Sequence, residues 1–241
     1  MIVLTLQREE KLNAISGAME AELLAALSSD EIRNTNCVVF TGAGKAFSAG
    51  ADINEFRDAD AESIAAYYRA TGDVYERIAV LPIPTIGAIH GWCLGGAFEM
   101  ALAFDFRIAD ESAIFGLPEV ALGIIPSSGG THRLVRMLGP AKAKELMLLG
   151  RRFDAREAKA LGLVTEVVPV GQALERALEV AHELAALPPL AAQTAKQAAD
   201  LMPEASREAG ILIERLAYAA LAQTTEAKDA LESFTRRDRR P

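Results

Sequence analysis

Two glutamates stand alone inside apolar runs. Glu99 is the single charge in GGAFEMALAF (Gly95–Phe104), and Glu119 is the single charge in FGLPEVALGIIP (Phe115–Pro126). Either one alone reads as an ordinary glutamate in a first helical turn, where it favours the helix macrodipole. Two carboxyl groups in apolar surroundings are a different matter, because they suit acid–base chemistry at carbon beside a polarised carbonyl. Two stretches of small residues could supply the polarisation. KAFSAGADINEF (Lys45–Phe56) follows the strand-forming CVVFTG, and GWCLGG (Gly91–Gly96) follows PTIGAI. Small side chains leave the backbone bare, and a bare backbone at the carboxyl end of a strand can point N–H groups at a ligand.

Other motif readings are weaker. GAGKAF lacks the third glycine of a dinucleotide loop, because position 47 is Phe, and Ala46 stands where a nucleotide-triphosphate loop needs Ser or Thr after Lys45. AFSAG (Ala46–Gly50) is one residue short of a nucleophile elbow, and Ser48 would then need a histidine base. The histidines available are His90, His132 and His182, each of which reads first as a structural residue. A serine hydrolase remains a minor alternative at this stage. The isolated Cys37 and Cys93 and the scattered histidines have no metal-ligand spacing, so no metal is expected.

The elements that must carry these residues follow from periodicity and punctuation. Ile2–Leu6 alternates as a strand, and Ser16–Leu27 has helical spacing with Ser16 as cap. Cys37–Thr41 is a continuous apolar run, as for a strand covered on both faces. A helix is expected from about Asp52, and a longer one through Tyr67–Leu81. Thr85–Ile89 reads as a second buried strand, Gly91–Gly96 as a loop and Gly96–Leu102 as a helix. Phe106–Ala109 and Ala113–Phe115 read as short strands, with another helix starting at Pro118. Strand, small-residue loop and helix thus recur, which argues an α/β fold with layered sheets wound repeatedly. Asp154 and Glu157 are spaced as a capping box, with Gly162 at the end of that helix. After Val164–Val168 the chain reads as helical. Leu187-Pro-Pro-Leu190 is a break, dividing a core over 1–187 from a C-terminal helical region over 188–241.

Composition narrows the partners. The 241 residues are 51% hydrophobic and 24% charged, enough for one sizeable core, with a net charge of −8. That sign repels nucleic acid and anionic membrane, so neither is an expected partner. The cysteines read as buried thiols in a reducing compartment. The opening apolar run is too short for a signal peptide, which makes the cytoplasm the expected location. Ile78–Phe98 carries Gly87, Gly91 and Gly95 in a repeated G-x-x-x-G, yet Pro82 and Pro84 argue against a membrane span. The charged tail TRRDRRP reads as solvated.

In combination, KLNAISGAM (Lys11–Met19), GKAFSAGADINEF (Gly44–Phe56), PTIGAIHGWCLGGAFEMALAFDFRIA (Pro84–Ala109), FGLPEVALGIIPSSGGTHRL (Phe115–Leu134) and DAREAKALGLV (Asp154–Val164) resemble the crotonase (enoyl-CoA hydratase/isomerase) superfamily, in its order and over nearly the whole chain. The resemblance implies a crotonase-like spiral of ββα units, with a C-terminal helical region that mediates homotrimers, often paired into hexamers. It implies an acyl-CoA thioester as substrate and no separate cofactor, coenzyme A being part of the substrate. Backbone N–H groups at Ala51 and Gly96 would form an oxyanion hole, Glu99 would handle the water and Glu119 the proton at C2. Ala49, Asp52, Ile53, Gly95, Ser127 and Arg237 would lie at the substrate. The presence of both glutamates favours 2-enoyl-CoA hydration over double-bond isomerisation or a catalytically idle acyl-CoA-binding protein. Three departures from the family pattern stand out. Asn54 replaces a frequent lysine, Ser127 and Ser128 replace smaller residues, and Phe98 is expected to narrow the acyl pocket.

Overall fold

The computed structural model describes residues 1–57, 59–70 and 73–237. The chain opens with β1 (Ile2–Leu6), α1 (Gly17–Leu27), the single turn α2 (Asp30–Arg33) and β2 (Val38–Gly42). Ser16 caps α1 by accepting from the Met19 N–H, and Ser29 does the same for α2 with Ile32. Next come α3 (Ala61–Ala70), α4 (Val74–Ala79), β3 (Thr85–Ile89), β4 (Trp92–Leu94), α5 (Gly96–Leu102), β5 (Phe106–Asp110) and β6 (Ile114–Gly116). The long α6 (Gly130–Leu149) is kinked at Gly139–Pro140, where Gly139 leaves the helical region. Beyond it lie β7 (Phe153–Asp154), α7 (Ala155–Ala160), β8 (Glu166–Val168), α8 (Ala173–Ala185), α9 (Pro189–Leu201), α10 (Arg207–Leu221) and α11 (Thr225–Arg237). Asp154 caps α7 on the Glu157 N–H, as the capping-box spacing predicts.

Among the described residues the strands form two sheets. The larger is parallel, in the order β1-β2-β3-β5-β8, and the smaller has the order β4-β6-β7 with β7 antiparallel. Each inner strand of the large sheet hands the chain to the small one. β3 turns into β4 and β5 into β6, while β2 leads into the segment around Ser48, which bridges Cys93 of β4. This is the repeated ββα spiral. Burial on both faces explains the unbroken apolar runs of β2 and β3, every residue of which is buried. Successive side chains alternate between two cores. Val38 and Phe40 join the main cluster, whereas Cys37, Val39, Ile86, Ala88 and Ile108 face α8. There Ala173, Ala177 and Ala181, spaced at i, i+4, i+8, let the helix lie close on the sheet.

Several expectations change. The helix from Asp52 is only a 3₁₀ turn over Ile53–Glu55, with Asp52 accepting from Asn54 N–H. The long helix through Tyr67–Leu81 is two helices, α3 and α4. The loop Gly91–Gly96 contains β4, because Ser48 and β6 offer pairing partners that a local reading does not see. Pro118 begins a 3₁₀ turn, Glu119–Leu122, rather than an α-helix. The window Ile78–Phe98 divides among α4, β3, β4 and α5, and among the described residues no helix is long and apolar enough to cross a membrane.

One buried side chain holds the small-residue loop after β2. Asn13 adopts the left-handed conformation, φ 55°, which asparagine tolerates better than most residues. Its Nδ2 donates to Ala43 O and Ala46 O, both at 2.8 Å, and its Oδ1 accepts from Arg8 N–H at 2.9 Å. Alanine at this position would orphan three backbone groups, two of them half-buried and that of Ala46 buried. Asn13→Ala should cost about 3 kcal/mol, a fall of roughly 6–12 °C in Tm. Thermal denaturation that moves by less than about 2 °C would show that the clamp carries little stability.

Candidate active site

The loop after β2 is shaped to keep one N–H available. Ile15 and Ala51 form a parallel bridge, in which Ile15 N–H donates to Gly50 O and Asp52 N–H donates to Ile15 O, both at 2.8 Å. Residues 50 and 52 thus use the side facing Ile15, and the alternation of an extended chain turns the Ala51 N–H the other way. The second donor is Gly96, first residue of α5, whose N–H has no carbonyl a turn earlier to bond. Gly95 before it is occupied, its N–H bonding Gly116 O at 2.9 Å. The two segments approach closely. A Cβ on Gly50, whose φ is +103°, would stand 2.6 Å from Leu94 O and 3.6 Å from Gly96 N. Only glycine fits there.

The Ala51 and Gly96 loops, Glu99 and Glu119 line one cavity of about 320 Å³. Glu99 projects from α5, where every residue from Ala97 to Leu102 is buried. Its Oε1 accepts from Ser128 N–H at 2.8 Å and Gly130 N–H at 2.9 Å, at the start of α6. Gly130 is required for this approach, since a Cβ would lie 2.5 Å from Glu99 Cγ. Burial raises the Glu99 carboxyl above its ordinary range, and the N–H bonds from the α6 end oppose the rise. Glu119, on the 3₁₀ turn after β6, is favoured in its charged form by its own backbone N–H rather than by the start of a long helix. Its Oε2 is buried with no hydrogen-bond partner among the described residues. Burial first, and then the nearby Glu99 charge, push Glu119 up to about 7. One carboxyl is thus held by fixed donors, and the other can keep a proton near neutrality.

The remaining residues singled out from the sequence are placed unequally. Ile53 and Ser127 line the cavity. Ala49 N–H bonds Leu12 O, and the Asp52 side chain pairs with Arg8 at 2.8 Å, so these two brace the loop. That pairing holds the Asp52 carboxyl below its usual range. Gly95 lies behind the cavity wall, and a Cβ there would stand 3.1 Å from Glu119 Oε1. The side chain of Arg237 lies outside the described residues. Phe98 does not narrow the cavity. It is turned into the core against Phe115 and Phe153, because its helix face points away from Glu99. Asn54 accepts from Arg57 at 2.8 Å, and Arg57 brings a positive charge to the cavity that no motif announced. Tyr67, Tyr68 and Tyr75 also line it and were read only as helix formers. Glu20 is another lining residue. Its signal was a glutamate three and seven residues before Leu23 and Leu27 of the buried stripe of α1.

Ser48 has no part in this. It is fully buried, donates to Asn13 O at 2.7 Å and accepts from Gly50 N–H at 3.1 Å. None of its partners is a histidine, and His90 is drawn to Gly44 O instead. The nucleophile-elbow reading fails on this geometry.

A spiral of ββα units presents to one cavity two buried glutamates and two N–H groups unpaired among the described residues, an arrangement suited to acid–base chemistry beside a polarised carbonyl. A family model described as enoyl-CoA hydratase/isomerase matches residues 1–240, and the chain belongs to that family. A protein of Rhizobium meliloti named "Probable enoyl-CoA hydratase" is 40% identical over 233 residues, covering 96% of this chain and 90% of the relative. The "2,3-dehydroadipyl-CoA hydratase" of Escherichia coli is 37% identical over 236 residues, covering 97% and 91%. The crystal structure of enoyl-CoA hydratase from Bacillus anthracis matches with a TM-score of 0.91 at 40% identity, covering 98% of this chain and 93% of that one. The fold is the crotonase-like spiral.

The raised Glu119 carboxyl has a thermodynamic consequence. Between its ordinary value of 4.5 and its folded value of about 7, the native state holds a proton that the unfolded chain has released. Stability therefore falls as pH rises through that window. Glu119→Gln removes this term, so the variant should gain on wild type by on the order of 3 kcal/mol between pH ~4.5 and ~8. Denaturant unfolding of both proteins across this range checks it, and a difference that does not change with pH would contradict it.

Proposed function

We propose that the protein is an enoyl-CoA hydratase, adding water across the 2,3 double bond of a trans-2-enoyl-CoA to give a 3-hydroxyacyl-CoA. The carrying observation is that Glu99 and Glu119 face the same cavity as the Ala51 and Gly96 N–H groups. The thioester oxygen accepts from these two donors. Glu99, held by Ser128 and Gly130, takes a proton from water as its oxygen bonds to C3. The double-bond electrons move toward the carbonyl, and the negative charge that reaches its oxygen is stabilised by donors already in place, each typically worth ~3 kcal/mol. Glu119 gives its proton to C2. The proton left on Glu99 then returns to Glu119 through solvent, restoring the starting state. Coenzyme A enters as part of the substrate, and these steps call for neither a separate cofactor nor a metal.

Double-bond isomerisation needs a single carboxyl to carry a proton between C4 and C2, which leaves the bracing of Glu99 unexplained. The variants separate the two reactions. For a hydratase, Glu99→Gln and Glu119→Gln should each lower turnover roughly 100-fold or more. The double variant should lose much less than the product of the two, because the pair works as a unit. An isomerase would be crippled by Glu119→Gln and little affected by Glu99→Gln. The readout is loss of the conjugated-enoyl absorbance, and wild-type rates from Glu119→Gln would defeat both readings.

We also infer a homotrimer or a hexamer built from it. Leu212, Leu216 and Tyr218 on α10 and Leu231 and Phe234 on α11 are exposed, more apolar surface than a small helical appendage leaves to water. Light scattering at micromolar concentration should give at least three times the chain mass, and a monomer would refute the assembly.

A further inference from the structure

Hydration leaves one buried acid on the cavity wall without a task. Glu20 is 2% exposed and lines the same cavity as Glu99 and Glu119. It stands on the face of α1 whose other buried members, Leu23 and Leu27, are core residues. Around it the wall is aromatic and polar. Tyr67 of α3 hydrogen-bonds the Glu20 carboxyl, and that bond adds to burial in pushing its phenol up. Tyr75 of α4 is also 2% exposed, and a Cβ on Gly96 would stand 3.4 Å from its hydroxyl. Burial raises this phenol as well, so both tyrosines stay neutral hydrogen-bonding groups.

The exposed part of the cavity lining has the reverse character. Ile53, Leu122, Ile124 and Ile125 form its rim and are 58–67% exposed. The coenzyme A arm is too large for a cavity of about 320 Å³ and must leave through this open rim. With the thioester oxygen between Ala51 and Gly96, the acyl chain then runs inward, past Gly96 and toward Tyr75 and Glu20. A chain ending in methyl would press a hydrocarbon against a carboxyl and two phenols and offer them no hydrogen bond. An apolar group packed against polar ones forgoes the interaction that a polar group in the same place would make. A hydroxyl at the chain end avoids that cost, since it can donate to the carboxyl and accept from a phenol.

We propose that Glu20, Tyr67 and Tyr75 form a polar terminus of the acyl pocket that selects short enoyl chains carrying a hydroxyl group at their far end. This rests on the hydratase reading for the position of the thioester. Glu20 acts here as a specificity residue and takes no part in the proton transfers at C2 and C3.

The test compares two chains of equal length, trans-2-hexenoyl-CoA and 6-hydroxy-trans-2-hexenoyl-CoA, in wild type, Glu20→Gln and Glu20→Leu. The readout is the ratio of kcat/KM for the two substrates within each protein, so a general loss of rate in a variant cancels. Wild type should prefer the hydroxylated chain by about tenfold or more, mostly through KM. Glu20→Gln should keep the preference, and Glu20→Leu should reverse it. Calorimetric Kd values for the saturated, unreactive hexanoyl-CoA and 6-hydroxyhexanoyl-CoA should follow the same order. Equal or better use of the methyl-ended chain by wild type overturns the proposal, as does a ratio that Glu20→Leu leaves unchanged. If wild type hydrates neither chain, the hydratase reading fails, and the Kd order alone decides the tail preference.

Discussion

An N–H group can stabilise a substrate oxygen only if no carbonyl of the protein has claimed it first. Folded chains leave very few buried N–H groups unpaired, so keeping two of them available in one place is a strong demand. This protein meets it by two separate backbone devices. At Ala51 a parallel bridge to Ile15 engages the residues on either side and leaves the middle one facing away. At Gly96 the start of a helix supplies a donor with no acceptor a turn earlier. The two devices come from different turns of the spiral, and they meet because the loop after β2 pairs with β4. Gly50, which admits Leu94 O, and Asn13, which ties down the loop, are the residues that make the meeting possible.

The same packing gives two identical side chains different surroundings. Both glutamates are buried, and burial alone would raise both. Glu99 meets the N–H groups at the start of α6, which favour its charged form. Glu119 sits on a short 3₁₀ turn with an oxygen that no described group satisfies, and the charge of Glu99 disfavours its ionisation further. The difference between the two carboxyls thus comes from which backbone ends near each of them.

Much of this was legible in the chain. Covered strands announce themselves as apolar runs, and β2 and β3 lie where those runs predict, as do α1 and α5. Glu99 and Glu119 were conspicuous as single charges in apolar sequence. Local patterns failed where pairing partners are distant. β4 looks like a loop because its strand character depends on Ser48 and β6. The aromatic side of the cavity was hidden for a related reason, since Tyr67 and Tyr75 occupy ordinary helical positions and only packing turns them toward Gly96 and Glu20. Phe98 shows the converse. Proximity in sequence to Glu99 suggested a place in the pocket, but adjacent residues on a helix point about 100° apart.

The docking of α9 bears on how far this chain can be taken apart. Lys196 of α9 reaches into the core to meet Asp105 at 2.7 Å and Ile83 O at 3.1 Å, while Asp105 also receives the Thr85 N–H. The Pro-rich break before α9 suggests a hinge between separable modules, yet the largely buried ammonium makes the boundary asymmetric. Cut there, the core would retain a recessed carboxylate with the neutral donors of Thr85 and the nearby Arg107 charge, beside the first residue of a central strand. The helices lost would take the directly bonded ammonium with them. Modularity in the linear sequence therefore does not extend to the energetics: the spiral and its helical tail share a largely buried ion pair, with Arg136–Glu204 as a more exposed second one, and neither half is a natural unit for grafting or truncation.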